Sequence, residues 1–579
     1  MTEESPLDTG LGHHRAGRLD EARAVYAAVL ADDPDNAEAH HLMGVLLLQS
    51  SAPADAVGHL DRAVALDGRV AKYHGNRAAA LGALGRRDEA VAALERAVAL
   101  DPADNLHREN LARAFTEAGR SEEAVAAWDA AIAADPGNAD AQSQKAHLLY
   151  AAGDLSGAIP HYRKAAELAP HDSERHSHLC VALNSSAAHT GPEILAEHKL
   201  WNDRHAAPLA GVAPPPANGR DPDRRLRVGY VSPDWRRHPI GYLTLPALRN
   251  HDREAFDVTL YCNTARGDDR TRLFENLGHS WKNIAGESDE AVFETVRADG
   301  IDILVDLTGH HNGNRLLVFA RRAAPVQVSW ESYSFSTGLE EMDYYIGDEL
   351  QTPPALQALF TEEIARLPRP MACLAYPDDA PDVTPPPASR TGVVTFGVNA
   401  NAASATAAVI EAWSDILAGF PGARILPMGW GAPALAAALE RGGIPASAIL
   451  ARDMSAPTAT YDAWCEIDVA LDPFPISGNL ETLEALWMGV PVVAMAGDRR
   501  IARRSAGHLA AVGLQELIAE TPEDYVRIAS SLAAGTVRLA ELRAGLRRRV
   551  ADSPLRDEAG FTRALEAFYR DAWRRWCAG

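Results

Sequence analysis

The chain has few cysteines, no long apolar run and no excess of positive charge. Its five cysteines are scattered without a CxxC pair, so neither a zinc site nor a disulfide framework is expected. No apolar run approaches the ~20 residues that span a bilayer, and the acidic first ten residues do not resemble a signal peptide. A net charge of −23 over 579 residues argues against nucleic acid and anionic membranes as partners. We therefore expect a cytoplasmic protein without membrane insertion.

Three kinds of residue recur every 34 residues at the start of the chain, a period typical of tetratricopeptide (TPR) helix pairs. The alanine permits close packing of the two helices, and a residue suited to a turn lies between them. Stacked pairs of this kind bury their apolar faces together and hold another protein. We predict five repeats from about Thr2 to Pro170 and a partial sixth helix, Ser173 to Asn184, within an array over 1–185. The registers are Ala22, Ala56, Ala90, Ala124 and Ala158; Gly17, Ser51, Gly85, Gly119 and Gly153; and Pro34, Gly68, Pro102, Pro136 and Pro170.

The composition changes after the array. A connecting helix (187–208) and a Pro/Gly-rich linker fill 186–224, and β-rich runs then alternate with helical stretches. A second Pro-rich passage (377–390) divides this region into an N-terminal lobe (225–385) and a C-terminal lobe (386–579) with a final helix. Alternating strands and helices predict parallel sheets. The expected fold is an α-solenoid followed by two α/β Rossmann-like lobes, with a ligand cleft at the strand ends.

Several stretches of the lobes resemble the TPR-linked O-GlcNAc transferase-like family. They include RVGYVSPDWRRHPIGYL (227–243), DILVDLTGHHNGNRLLVFARRAAPVQVSW (302–330), MDYYIGD (342–348) and DVALDPFPISGNLETLEALWMGVPVV (468–493). The resemblance implies a GT-B glycosyltransferase that transfers a sugar from a nucleotide-sugar to Ser or Thr hydroxyls of a protein. It implies no metal and no cofactor, because the nucleotide-sugar is a co-substrate.

Two positions depart from the family pattern where the donor phosphates are expected. Members that use UDP-GlcNAc carry a lysine where this chain has Ser404, and Lys282 is the last lysine of the sequence. The phosphate-holding turn matches Asn479-Leu480-Glu481, which brings a carboxylate to a diphosphate site. At about 4 Å, like charges repel by ~4 kcal/mol when the effective dielectric constant is about 20. Alternatively, Glu481 is an acid that favours the helix dipole.

These departures favour a different donor. The chain also resembles bacterial TPR-containing flagellin glycosyltransferases, which implies flagellin as acceptor and a CMP-activated nonulosonic acid as donor. Two alternatives stay open. One is a conventional UDP-GlcNAc protein transferase, and the other is a non-catalytic TPR adaptor with a degenerate transferase module.

Three residues of the N-terminal lobe are candidates for catalysis. His238 follows the first strand and is a candidate base or acceptor-orienting group, with a turn-capping histidine before Pro239 as the alternative. Asp234, four residues earlier, is placed to orient it. His310 follows the strand IDILVDL and is predicted to face the cleft, with a surface turn as the alternative.

The donor site is predicted in the C-terminal lobe. A helix start would present backbone N–H groups to phosphate, and Glu484 matches the family acid that binds the ribose hydroxyls. Arginines supply positive charge for a phosphate or carboxylate, although a solvated basic face is the alternative. Strand-end asparagines bind base or phosphate, or simply form a turn. The predicted donor residues are Asn399, Asn401, Ser404, Ser477, Gly478, Asn479, Glu484, Arg500 and Arg503.

The acceptor is predicted to bind the TPR groove. The sixth position of successive repeats holds Asn76, Asn110 and Gln144. In the family that this chain resembles, amides at this position line the concave groove and bind the peptide backbone, since an amide both donates and accepts. The ladder is short, which favours a folded or helical partner over an extended peptide.

Overall fold

A computed structural model describes residues 5–375, 380–429, 431–454, 456 and 459–579. The chain divides into two compact units, residues 1–149 and 150–579. The division therefore falls inside the predicted array and not at its predicted end, residue 185. Within the described part of the chain, no helix has both the length and the apolarity needed to cross a bilayer.

The first unit is a series of antiparallel helix pairs. The turns inside its pairs carry a residue with positive φ: Gly17 (73°), Ser51 (57°), Gly85 (73°) and Gly119 (74°). Ser51 thus adopts the same left-handed conformation as the glycines, which explains how a serine can occupy this position of the repeat. The helices are α1 (Pro6–Arg15), α2 (Leu19–Asp32), α3 (Ala37–Gln49), α4 (Pro53–Leu66), α5 (Ala71–Ala83), α6 (Arg87–Leu100), α7 (Asn105–Glu117), α8 (Ser121–Ala134) and α9 (Ala139–Ala151), which crosses the division.

The repeated alanines lie in the core of this unit, as the period predicts. Ala22, Ala56 and Ala124 are fully buried, and Ala90 is 4% exposed. The large residues four positions later are buried beside them: Tyr26, Leu60, Leu94 and Trp128. Burying each such side chain contributes about 1.5–3 kcal/mol. The predicted TPR architecture is confirmed.

The second unit begins with the last helices of the solenoid. They are α10 (Leu155–Leu168), α11 (Ser173–Asn184) and α12 (Gly191–Trp201), followed by a π-helical turn (Asn202–Ala206). Helix α11 has the predicted bounds of the partial sixth repeat, and its Ser177 hydroxyl lies 3.0 Å from Nδ1 of His310 in the N-terminal lobe. The turn before α10 touches the other lobe, since a Cβ on Gly153 would lie 2.6 Å from the Ala402 carbonyl oxygen.

The N-terminal lobe contains one parallel sheet of seven strands in the order β3-β2-β1-β4-β5-β6-β7. The strands are β1 (Leu226–Ser232), β2 (Phe256–Cys262), β3 (Ser280–Asn283), β4 (Ile303–Asp306), β5 (Val326–Ser329), β6 (Tyr344–Asp348) and β7 (Glu363–Leu367). The helices are α13 (Pro239–Asn250), α14 (Asp269–Glu275), α15 (Asp289–Ala298) and α16 (Leu316–Ala320). This is a Rossmann-type order, in which the sequence of strands along the sheet reverses between the parallel neighbours β1 and β4.

The C-terminal lobe contains a parallel sheet of five strands in the order β12-β11-β10-β8-β9. The strands are β8 (Thr395–Asn399), β9 (Arg424–Met428), β10 (Val469–Leu471), β11 (Val492–Met495) and β12 (Ile518–Ala519). The helices are α17 (Ala388–Thr391), α18 (Ala407–Ala418), α19 (Ala432–Arg441), α20 (Ala459–Trp464), α21 (Leu480–Trp487), α22 (Arg504–Ala511), α23 (Pro522–Ala534), α24 (Thr536–Ala551) and α25 (Glu558–Ala578). Two Rossmann-like lobes are therefore confirmed.

The final helix does not stay with the lobe in which its sequence lies. The Phe561 ring of α25 stacks on Trp330 at 5.9 Å between centroids, and the Tyr569 and Tyr230 hydroxyls are 3.1 Å apart. The apolar face of α25 therefore completes the core of the N-terminal lobe. The predicted boundaries had assigned this helix to the C-terminal lobe.

Candidate active site

The candidate site is a cleft where the carboxyl ends of strands from both lobes approach one another. Glu331 follows β5 of the first sheet, and its Oε1 accepts a hydrogen bond of 3.0 Å from Nδ2 of Asn479, which precedes α21. His238 follows β1, and Glu481 of α21 is close enough to influence its pKa. Ligands of open parallel sheets bind at such edges.

His238 both caps a helix and faces the cleft. Its Nδ1 lies 3.4 Å from the Ile240 N–H at the start of α13 and 3.4 Å from Oδ2 of Asp234. Burial lowers the pKa of His238, and the Asp234 carboxylate opposes this effect. The ring is therefore neutral at pH 7. Asp234 favours the tautomer with hydrogen on Nδ1, which leaves the Nε2 lone pair for an acceptor hydroxyl. The cap contact from the Ile240 N–H needs the other tautomer, because Nδ1 must then accept. The side chain is 35% exposed, so the ring is open to the cleft in either tautomer.

His310 does not face the cleft. Its Nε2 donates to the Thr337 carbonyl at 2.8 Å, its Nδ1 accepts from the Ser177 hydroxyl, and none of its surface is exposed. Neither ring nitrogen is available to a substrate, which speaks against the predicted catalytic role. The residue instead joins α11 to the loop after β4.

The next residue, His311, occupies the position predicted for His310. Its side chain is exposed, with its ring edge-on to Tyr333 at 5.4 Å. His311 thus lies beside His238 and Asp234, close enough for their charges to act on its ring. The Gly-His-His sequence marks the strand end but does not reveal which histidine turns outward.

The segment before α21 is held by internal hydrogen bonds. The Ser477 hydroxyl donates to the Ile501 carbonyl at 2.7 Å, and the Gly478 N–H donates to Oδ1 of Asp472 at 2.7 Å. The Asn479 N–H donates to Oε2 of Glu481 at 2.9 Å. Glu481 therefore caps the start of its own helix, as the helix-dipole alternative predicted.

The arginines of the segment 499–504 differ in position. Arg503 donates to the carbonyls of Leu350 (3.2 Å) and Gly497 (2.9 Å), and Arg500 is buried against Glu331 and Ser334. Arg504 lies on the cleft side, where its guanidinium donates to the Ser477 carbonyl. Burial lowers the pKa of Arg504, Arg500 adds to this effect, and Glu481 and Asp472 oppose it. The cation nearest the predicted donor site is thus Arg504, one residue beyond the predicted Arg503.

Acidic side chains with raised pKa values line the donor side. Burial raises the pKa of Asp472 to about 7 and that of Glu484 to about 8, and Glu481 adds to both shifts. Oδ2 of Asp472 is buried without a hydrogen-bond partner in the described part of the chain. A half-buried Glu484 that exchanges its proton near neutral pH can both donate to and accept from hydroxyl groups, which suits the predicted ribose contact.

The strand-end asparagines have separate tasks. Asn399 lines a small pocket together with Leu471, Asp472 and Glu481. Asn401 instead caps a 3-10 turn (Ala402–Ser404), because its Oδ1 accepts from both the N–H and the hydroxyl of Ser404 at 3.1 Å. Ser404 is 3% exposed. Asn399 is therefore available to a donor, whereas Asn401 and Ser404 are engaged in the turn.

The three predicted acceptor amides lie in the first unit in different environments. Nδ2 of Asn76 donates to Nε2 of His41 at 2.7 Å. Asn110 lines an open groove of about 400 Å³ with Arg113 and Glu117 on one side and small residues of α5 on the other. Gln144 is half-buried on α9. Asn110 thus lines a groove, whereas the Asn76 amide is bonded to His41.

A cluster of potential metal ligands lies beneath the cleft. Cys180, His198 and His310 are buried with their ligand atoms within 4.8 Å of one another. Nδ1 of His198 donates to the Ile194 carbonyl at 2.7 Å, so Nε2 accepts from the Tyr333 hydroxyl at 2.7 Å. The histidine nitrogens are already used in hydrogen bonds, so this cluster does not fit a metal ion.

These features define a two-lobed GT-B glycosyltransferase fold preceded by TPR repeats. The chain belongs to Glycosyl transferase family 41, whose sequence model matches residues 215–373 and 401–565. A tetratricopeptide repeat model matches 7–71, 76–139 and 110–173. The resemblance to the TPR-linked O-GlcNAc transferase-like family is therefore confirmed.

Similar proteins include plant and bacterial members. The probable UDP-N-acetylglucosamine–peptide N-acetylglucosaminyltransferase SPINDLY of Petunia hybrida is 36% identical over 373 residues, 62% of this chain and 40% of its own. SPINDLY of Oryza sativa subsp. japonica is 34% identical over 432 residues, 72% of this chain and 46% of its own. The chain thus spans less than half the length of these relatives. A point variant of Thermobaculum terrenum O-GlcNAc transferase matches in structure with a TM-score of 0.77 and 35% identity, covering 88% of this chain and 98% of that one.

Proposed function

We propose that this chain is a protein O-GlcNAc transferase that transfers the sugar of UDP-GlcNAc to Ser or Thr hydroxyls of a protein bound by the TPR array. The observation that carries this proposal is the likeness to the Thermobaculum terrenum O-GlcNAc transferase, which extends over 88% of this chain and 98% of that one. The names of the SPINDLY relatives support the same donor.

The side chains of the N-terminal lobe suit a single displacement. The acceptor hydroxyl gives its proton to Nε2 of His238 while its oxygen forms a bond to C1 of the sugar. The bond from C1 to the β-phosphate oxygen breaks, its electron pair leaves with UDP, and the anomeric configuration inverts. Asp234 stabilises the imidazolium across 3.4 Å. A positioned base of this kind contributes about 10²–10⁴-fold to the rate.

Arg504 is the group that we assign to the leaving phosphates. Ser404 is buried in its turn and the second lobe has no lysine, so an arginine takes the place of the family lysine. Arg504 lies near Asp472 and Glu481, and its Nη1 is 3.5 Å from the Ser334 hydroxyl of the other lobe. A guanidinium can bind two phosphate oxygens at once.

We no longer prefer a CMP-nonulosonic acid as donor or flagellin as acceptor. None of the relatives reported above is named for either. The Glu481 carboxylate accepts from the Asn479 N–H and so serves the helix start, and Arg504 lies near it as a compensating positive charge. UDP-GlcNAc therefore replaces the CMP sugar as the proposed donor, and the acceptor is proposed only as a protein.

The test is sugar transfer by the full chain. Purified protein is incubated with a Ser/Thr peptide library and either UDP-GlcNAc or a CMP-nonulosonic acid, and products are read by intact mass. UDP and CMP binding are measured by calorimetry, with His238→Ala as the matched control. Transfer from UDP-GlcNAc by the native chain alone supports the proposal. Transfer only from the CMP sugar overturns the donor, and no transfer and no nucleotide binding favours the adaptor alternative.

A further inference from the structure

Glu331 has an unusual backbone and a buried charge. It lies two residues after the end of β5 and has a φ of 66°. It is one of three non-glycine residues with positive φ in the described ranges, the others being Ser51 and Arg322. Its side chain is 1% exposed. A left-handed conformation is unfavourable for a residue with a Cβ, and burial is unfavourable for a carboxylate. The surroundings of Glu331 must offset both.

Two side chains of the other lobe provide the compensating contacts. Nη2 of Arg500 lies 3.6 Å from Oε2 of Glu331, and Nη1 of Arg500 donates to the Glu331 carbonyl at 3.3 Å. Oε1 of Glu331 accepts from Nδ2 of Asn479 at 3.0 Å. The carboxylate of one lobe is thus held by a cation and an amide of the other.

The Asn479 amide is fixed on both sides. Its Oδ1 accepts from Nε2 of His508 at 2.8 Å while its Nδ2 donates to Glu331. His508 is fully buried on α22. A flipped amide would turn its NH₂ toward the histidine N–H and its oxygen toward the carboxylate, so one orientation is strongly preferred. Asn479 in turn begins α21, the helix that carries Glu484.

We propose that Glu331 is a positioning residue for donor binding. It acts through Asn479, orienting the start of α21 and thereby placing Glu484 where the nucleotide ribose binds. The donor part of this inference rests on the proposed function, whereas the ordering of α21 does not. The contact joins a loop after β5 to a helix start in the other lobe, so it relates the donor helix to the lobe that carries His238.

Three substitutions of Glu331 test separately whether its charge, its acceptor oxygen or its backbone conformation matters. Glu331→Gln keeps an oxygen for Nδ2 of Asn479 but removes the charge. Glu331→Ala removes the acceptor and keeps the unfavourable φ. Glu331→Gly removes the acceptor and also relieves the backbone. Ser51→Gly, which relieves a positive φ in the first unit, is the matched control.

The readouts are KM for UDP-GlcNAc, kcat, and deuterium exchange of the segment 479–487 in the full chain. For Glu331→Ala and Glu331→Gly we expect a rise in KM of about tenfold, as for loss of one hydrogen bond to a charged group, with kcat changed less and exchange faster. Ser51→Gly should stay within about twofold of the native chain, whereas Glu331→Gln, which keeps the acceptor oxygen but removes the charge that faces Arg500, should raise KM less than Glu331→Ala does. Asn479→Ala approaches the same contact from the other side and should raise KM similarly, should the Glu331 variants fold poorly.

The outcomes separate this inference from the proposed function. A native chain that binds no UDP overturns the function, yet the exchange measurement still decides the role of Glu331. Unchanged exchange and KM in Glu331→Ala, even with a lower melting temperature, overturn the inference, because simple packing then accounts for the residue. Native behaviour of Glu331→Gly overturns it as well, since the carboxylate would then be dispensable.

Discussion

The two faces of the cleft are built in opposite ways. On the N-terminal lobe, His238 and His311 present ring surface to solvent. On the C-terminal lobe, Ser477, Asn479 and Arg500 are bonded to other parts of the protein. The first face offers side chains that can react, whereas the second is an assembled surface whose shape depends on internal contacts. Substitutions on the first should therefore affect chemistry, and those on the second should affect donor affinity.

The largest effect is expected from His238→Ala. Loss of the base should lower kcat by about 10²–10⁴-fold while UDP binding stays within about twofold, because the ring does not belong to the donor surface. Single-turnover transfer and calorimetry measure the two quantities. A weakened UDP affinity with little change in kcat would break the contrast between the faces.

His310→Ala should affect folding and not chemistry. The substitution leaves the Thr337 carbonyl and the Ser177 hydroxyl without their partner, which lowers the free energy of unfolding by about 2–5 kcal/mol. Urea unfolding followed by tryptophan fluorescence measures the loss. His311→Ala is the matched control and should cost less than about 1 kcal/mol. Equal losses in the two variants would contradict the assignment of the inward and outward histidines.

Arg504→Gln should weaken donor binding more than Arg503→Gln. Loss of the cation beside Asp472 and Glu481 should weaken UDP binding by about tenfold to a hundredfold, the value of a hydrogen bond between charged groups. Arg503 serves two backbone carbonyls, so its loss should change UDP affinity by less than about threefold. Calorimetry compares them, and a reversed ranking would move the phosphate site to Arg503.

The smallest effect concerns pH. Burial raises the pKa of Glu484 from an ordinary value of 4.5 to about 8, so deprotonation progressively destabilises the folded state as pH rises through that window. Glu484→Gln lacks this penalty, and its stability relative to the native chain should increase from pH 5 to pH 8 and then level off. The urea midpoint at several pH values measures this. Glu294→Gln, at an exposed position of α15, should show no such trend.

The architecture was predictable because its signals are periodic. The 34-residue step and the β-rich runs of both lobes correspond to observed elements. The missed strands are β3, β7 and β12, which lie at sheet edges, and β6, whose sequence was quoted only as part of a motif. Edge strands are short and carry polar residues, so their patterns are weaker.

The site was predictable only to within one residue. His310 and Arg503 were expected in the cleft, and the structure places His311 and Arg504 there. Sequence marks where a strand ends, but the direction of a side chain after it depends on the turn that follows. Gly309, with φ of 57°, and its contact with Tyr333 set that turn. Glu331 gave no sequence signal, because its role depends on contacts with residues about 150 positions away.

The last solenoid helices have a practical consequence for exchanging recognition modules. The turn before α10 and helix α11 interlock with the lobes through Gly153 and Ser177, and the compact division falls at residue 149. If a foreign array replaced residues 1–149, helices α10 and α11 would remain, and the Ser177 hydroxyl would still bond to His310. If the foreign array replaced residues 1–185, α11 would be lost and His310 would lose its hydrogen bond to Ser177. The repeats within residues 1–149 are thus the part that can be exchanged, whereas α10 and α11 have to be kept together with the lobes.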